Sequence, residues 1–146
     1  MNIPASSVVS PYLFFEGRCD EALAFYQQAL GVQVQFLMRY KENPAPACGE
    51  AMGDKVMHAS FLIGSTLVMV SDGRCSGQPN FQGISLSLTV PTAADAEQAF
   101  AALSDGGTVQ MPMAETFFSS RFGMVADRFG VSWMVYVKPE TDGSVS

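Results

Sequence analysis

Basic residues are scarce in this chain. Eight Lys and Arg stand against 14 Asp and Glu, for a formal charge of −6, and there is one histidine. No segment offers a basic stripe to phosphates, which argues against a nucleic-acid partner and against an anionic membrane surface. Long apolar runs are also missing, and none approaches the ~20 residues needed to span a bilayer. Cys19, Cys48 and Cys75 are odd in number and lack CxxC spacing, so they read neither as a disulfide framework nor as a zinc site. The N-terminal MNIPASSVVS lacks the basic residues and long apolar core of a secretory signal. A reducing cytoplasm is therefore the expected address. Neither G-x-G-x-x-G nor G-x-x-x-x-G-K-[ST] occurs, which leaves nucleotide-phosphate cradles unsupported.

What is present suits one globular domain. The 146 residues are 48% hydrophobic and 15% charged, too apolar for a disordered chain. At this length roughly two-thirds of the unfolded surface is buried on folding.

The residue pattern predicts a strand over Val8 to Phe15, stopped by Glu16-Gly17, then a helix over Cys19 to Leu30 closed by Gly31. Val32 to Tyr40 reads as a strand, and 41–55 as a loop rich in Pro, Gly and charge. Val56 to Ile63 and Thr66 to Asp72 form a hairpin across Gly64-Ser65. That two-residue turn sets Leu62 opposite Leu67, Ser60 opposite Met69 and His58 opposite Ser71, all on one face. The other face carries Met57, Ala59, Phe61, Ile63, Val68 and Val70 and belongs under a helix. After a linker over 73–83 the programme repeats. A half-buried strand covers Ile84 to Val90, and a helix opens at Pro91-Thr92 and runs to about Leu103. Three strands follow: Val109 to Phe118, Arg121 to Asp127 and Val131 to Val137. The words Met69-Val70-Ser71-Asp72 and Met124-Val125-Ala126-Asp127 echo each other. The expected division is module one over 8–72, module two over 84–138, and a tail over 139–146.

Two copies of strand, helix and three strands, together with SPYLFFEGRCDEALAFYQQALG, HASFLIGSTLVMVSD and ETFFSSRFGMVADRFGVSWMVYV, resemble the PhnB-like branch of the vicinal-oxygen-chelate superfamily. That branch usually has Trp where this chain has Phe118. The resemblance implies an α+β glyoxalase/bleomycin-resistance fold, in which two βαβββ modules form a cupped mixed sheet with helices on the outer face. It also implies a homodimer. Enzymes of the superfamily often hold one divalent metal with His, Gln and Glu on the first and last strand of each module. Here those positions align with Pro11, about Met69, Ser85 and Met134, which are poor donors for a hard ion. No cofactor is expected, and a divalent metal is disfavoured. The methyltransferase name carried by relatives finds no support either, since a typical methyl-donor fold needs alternating βα units.

Within the implied cup, His58 shares a face with Ser60 and Ser71, where it can act as a general base or ligand donor, or instead be a structural histidine tied to Ser71. Alternation sets Met113, Glu115 and Phe117 in the cup with Met111. Glu115 among apolar groups suits proton transfer, and its alternative is a pairing to Arg121 or His58 or a solvated place on the rim. Phe15 and Tyr136 are expected to line the cup beside Met69, Ser85 and Met134, and Trp133 to lie under a helix. Asp72 and Asp127, at strand ends, read as caps of turn N–H groups. Cys75 has no base beside it in the sequence, so catalysis there is a weak reading.

The resulting expectation is a protein that binds a small hydrophobic or planar molecule in the cup without a typical metal site. The alternative is a lyase, isomerase or dioxygenase-like enzyme of the same superfamily that uses His58 and Glu115 on a small oxygenated substrate.

Overall fold

The computed structural model describes residues 1–43 and 53–139. The chain divides into two compact units, Met1–Pro79 and the chain from Asn80 onward. Each is a βαβββ module.

In the first unit the elements are β1 (Tyr12–Phe14), α1 (Cys19–Leu30), β2 (Gln33–Arg39), β3 (Val56–Ile63) and β4 (Thr66–Ser71), with a 3-10 turn at Tyr40–Glu42. The sheet order is β1-β4-β3-β2. β1 runs parallel to β4, and the other neighbours are antiparallel. The turn between β3 and β4 sets the register expected from Gly64-Ser65: Leu62 pairs with Leu67 and Ser60 with Met69. The ladder's last pair in this direction is Ala59 with Val70, and His58 keeps the face of Ser60 by alternation. The face carrying Ala59, Phe61, Val68 and Val70 is at most 2% exposed. On that face the Tyr26 ring of α1 lies 6.0 Å from Phe61.

α1 presents Ala22, Leu23 and Tyr26 to this core at helical spacing. Its N-cap, Arg18, gives no side-chain cap. The cap is borrowed instead: Asp72 Oδ1 accepts from the Gly17 and Cys19 N–H groups, both at 2.8 Å. This ties the start of the helix to the end of β4.

β1 is shorter than Val8 to Phe15. Val8 and Val9 are 81% and 99% exposed, and Pro11 has no N–H to give a ladder. Phe15 corrects the expectation of a cup-lining ring, because it is 0% exposed and packs 6.1 Å from Tyr26. Its parity is that of Leu13, on the helix side, whereas Tyr12 and Phe14 face the other way.

The second unit contains β5 (Ser85–Val90), α2 (Ala93–Ser104), β6 (Thr108–Ala114), β7 (Phe122–Ala126) and β8 (Ser132–Val137). The sheet order is β5-β8-β7-β6 with β5 parallel to β8, the same plan as the first sheet. Thr92 caps α2 by accepting from Asp95 N–H at 3.1 Å. Trp133 is 2% exposed, and its Nε1 donates to Asp127 Oδ2 at 2.9 Å.

β6 ends at Ala114, not at Phe118. Beyond it the Thr116 hydroxyl accepts from the N–H groups of Phe118 and Ser119, a local turn that competes with the ladder. The echo of Asp72 in Asp127 also joins strands that are not equivalent. Asp72 follows the last strand of its module, and Asp127 follows the next to last. No helix among the described residues is long and apolar enough to cross a membrane.

Candidate functional site

Each sheet leaves one face without a helix. In the first unit that face carries Tyr12 and Phe14 from β1, Met69 and Ser71 from β4, and His58 and Ser60 from β3. A bulge at Gln35 brings Phe36 of β2 opposite Ser60. Three rings stand open here: Tyr12 is 38% exposed, Phe14 50% and Phe36 51%. Tyr12 stacks on Phe14 with centroids 5.0 Å apart. The His58 ring lies 5.5 Å from Tyr12 and 5.9 Å from Phe36.

His58 is joined to this group by a hydrogen bond. Its Nδ1 is 2.8 Å from the Tyr12 hydroxyl. Burial raises the pKa of that phenol, and the Ser71 hydroxyl beside it offsets part of the rise. Ser60 and Ser71 form the floor, at 8% and 3% exposure. Ser71 Oγ accepts from Gly73 N–H at 2.9 Å. The loop after β4 is held by Glu16, whose carboxylate accepts from the N–H groups of Arg74 and Ser76. Of the residues expected here, His58, Ser60, Met69 and Ser71 do share one face.

Tyr12, Phe14 and Phe36 were not among the expected site residues. The signal for the first two was present: the period-2 count that groups His58 with Ser60 also groups Tyr12 with Phe14, opposite Phe15. Phe36 depends on a bulge, for which the sequence carries no marker.

In the second unit Ser85, Met134 and Tyr136 fall on the open face, with Met134 paired to Met124 and Ser87. Ser85 Oγ reaches the Ser132 carbonyl at 3.2 Å. Three expected residues lie elsewhere. Met113 is on the helix side, where a Cβ added at Gly123 would meet Met113 Sδ at 2.6 Å and Phe100 Cε1 at 2.8 Å. Register shifts on either side of Met111 break the alternation that grouped Met113 with it. Glu115 and Phe117 lie past the end of β6 and line a depression of about 650 Å³ with Thr92, Phe118 and Lys138. Glu115 does not pair with Arg121, which bonds Glu97 at 3.0 Å.

The thiols offer little chemistry. Cys19 is free and buried, and burial, with Asp72 beside it, pushes its pKa well up, so it stays a neutral thiol. Cys75 corrects the expectation of unpaired cysteines, since it takes part in a disulfide. Cys48 lies outside the described residues.

A family model described as 3-demethylubiquinone-9 3-methyltransferase matches residues 7–136. The chain belongs to this family. Within this PhnB-like family it is similar to protein YjdN of Escherichia coli K12, with 33% identity covering 88% of this chain and 94% of that one. It is also similar to the crystal structure of PA1353 from Pseudomonas aeruginosa, with 40% identity, a TM-score of 0.81, and 92% and 100% of the two chains covered. The PhnB protein from Bacillus cereus shows 28% identity and a TM-score of 0.76, covering 90% and 99%. A glyoxalase-related enzyme from Fulvimarina pelagi shares the fold, with a TM-score of 0.61 at 16% identity over 97% of each chain. The PhnB-like chain thus has the glyoxalase/bleomycin-resistance fold of the vicinal-oxygen-chelate superfamily.

The superfamily's divalent metal does not suit these residues. Among the described residues no three His, Cys, Asp or Glu side chains gather to hold an ion. Opposite Met69 stands Tyr12, not Pro11. The two open faces present phenol, thioether and hydroxyl groups with a single imidazole, His58, a poor set for a hard cation.

Proposed function

We propose that this PhnB-like protein binds a small hydrophobic or planar molecule on the open face of its first sheet. The observation that supports the reading is the cluster of Tyr12, Phe14 and Phe36 around His58. Exposed rings on a rigid sheet offer stacking area at little entropic cost, and a soluble protein seldom leaves such surface open without use. The buried hydroxyls of Ser60 and Ser71 beneath them add polarity without charge.

The test is a thermal-shift screen of small aromatic compounds, with hits titrated against Phe14→Ala and Phe36→Ala. Both rings are about half exposed, so the variants should fold. Each should weaken binding by about tenfold. Unchanged affinity in both would refute the assignment.

The enzyme reading draws on the Tyr12–His58 bond, because a phenol and an imidazole in contact can move a proton at neutral pH. Turnover of a bound hit that His58→Gln abolishes without loss of affinity would favour it. The proposal includes a homodimer, for which light scattering should give twice the chain mass; a monomer at working concentration would remove that element.

A further inference from the structure

Two hydrogen bonds lie behind His58, Gly73 to Ser71 and Tyr12 with His58. Gly73 N–H lies 2.9 Å from Ser71 Oγ, and a backbone N–H can only donate. Ser71 therefore accepts there, which leaves its own proton free to turn toward Tyr12, the phenol whose raised pKa its hydroxyl partly offsets. The Tyr12 hydroxyl lies 2.8 Å from His58 Nδ1. It has one proton to give and no other hydrogen-bond acceptor among the described residues, so that proton is best satisfied at Nδ1. Nδ1 is then the acceptor of the Tyr12–His58 bond. A neutral imidazole that accepts at Nδ1 carries its proton on Nε2.

That second nitrogen is presented to the open side. Among the described residues His58 has one hydrogen bond, the one to Tyr12. No buried side-chain nitrogen or oxygen lacks a partner, so the unpartnered Nε2 is not buried. Around it are the Tyr12 and Phe36 rings, with Phe14 stacked on Tyr12. The face thus combines flat apolar walls with one directed donor.

We propose that the ligand of this face is a planar, mostly apolar molecule with a hydrogen-bond acceptor, a carbonyl oxygen or a ring nitrogen, received by His58 Nε2–H. The proposal rests on the binding reading above. It makes Tyr12 a positioning residue, which fixes the tautomer without touching the ligand's acceptor.

The chain's one histidine gives an unambiguous first measurement. Long-range proton–nitrogen NMR correlation on the wild-type protein should show Nε2 protonated and Nδ1 bare. A proton on Nδ1 would overturn the proposal. The second measurement compares two flat probes of similar size, coumarin with its carbonyl and naphthalene with no acceptor. The ratio of coumarin to naphthalene affinity should fall about fivefold in His58→Phe, which keeps a ring but loses the donor. Naphthalene binding itself should change little. If both probes bind the wild type and the ratio is unmoved in the variant, the donor role is wrong and the aromatic site stands. If neither probe binds the wild type, the binding reading falls and takes this proposal with it.

Discussion

Asp72 and Asp127 are both buried carboxylates, and each accepts hydrogen bonds from N–H groups of its own module. Asp72 takes Gly17 and Cys19 on one oxygen and Val56 on the other, at 2.7–2.8 Å. Asp127 takes Phe129 and Val131 on one oxygen and the Trp133 indole on the other, at 2.9–3.1 Å. Neither aspartate has an open face to offer a ligand: they are 0% and 3% exposed.

Removing either carboxylate leaves buried donors without an acceptor. Bonds to charged groups are the stronger kind, so Asp72→Ala and Asp127→Ala should each cost about 3 kcal/mol or more. For a chain of this length that lowers the melting temperature by roughly 10 °C. The Asn variants keep one acceptor and should lose less. A calorimetric scan placing either Ala variant within about 2 °C of wild type would contradict this role.

Much of the fold was legible because its signals are local. The turn at Gly64-Ser65 fixes the pairing of Leu62 with Leu67 and Ser60 with Met69 by counting alone, and α1 falls on Cys19–Leu30 as its spacing predicts. The open face was legible where that hairpin builds it, at His58, Ser60, Met69 and Ser71. It was lost in β1, where Tyr12 to Phe15 is unbroken aromatic and aliphatic and period 2 has no polar residue to set its phase. It was lost again in β6. Bulges around Met111 moved Met113 to the helix side, and the Thr116 turn took Glu115 and Phe117 out of the strand. Such irregularities depend on hydrogen bonds between distant segments, which composition does not record.

Cys19 should make stability fall in alkali. Burial holds its thiol protonated in the fold, while in the unfolded chain it ionises near its ordinary 9.0. Above that pH the unfolded state binds fewer protons, so stability declines as pH rises, approaching about 1.4 kcal/mol per unit. Below it this group contributes no pH dependence. Melting curves from pH 8 to 10.5 should therefore drop less steeply for Cys19→Ala than for wild type. Native Cys19 should also resist iodoacetamide at pH 8, and rapid labelling of its peptide would contradict the burial.

Two glycines should differ in what they tolerate. A Cβ at Gly107 would run into the Ala126 carbonyl and meet Asp127 backbone atoms at 3.0 Å. Those atoms belong to the end of β7 and the turn after it, and they cannot move alone. At Gly123 the nearest atom is the end of a flexible methionine, Met113 Sδ at 2.6 Å, although Phe100 follows at 2.8 Å. Overpacking against backbone costs about 2–3 kcal/mol, and against Met less. Gly107→Ala should therefore melt lower than Gly123→Ala, and the reverse order in urea denaturation would show that the core around Met113 is the stiffer neighbour.

The donor set of the open faces makes a prediction about metals. Tyr12 with Met69, and Ser87 with Met134, stand opposite each other on the parallel strand pairs, where a phenol, two thioethers and a hydroxyl offer nothing that a hard cation prefers to water. Added Ni²⁺, Zn²⁺ or Mn²⁺ should leave the melting temperature unchanged after dialysis against a chelator. A specific ion at 100 times its dissociation constant would instead stabilise the fold by about 2.7 kcal/mol, roughly 8 °C for this chain length. Cu⁺ is the informative control, because thioethers do bind it: a shift with Cu⁺ alone would assign the methionines, and Met69→Leu or Met134→Leu should then erase it. A shift with Zn²⁺ or Mn²⁺ that survives both Leu variants would put the ligands at His58 or at residues not placed on these faces, and the metal-free reading of the site would fall.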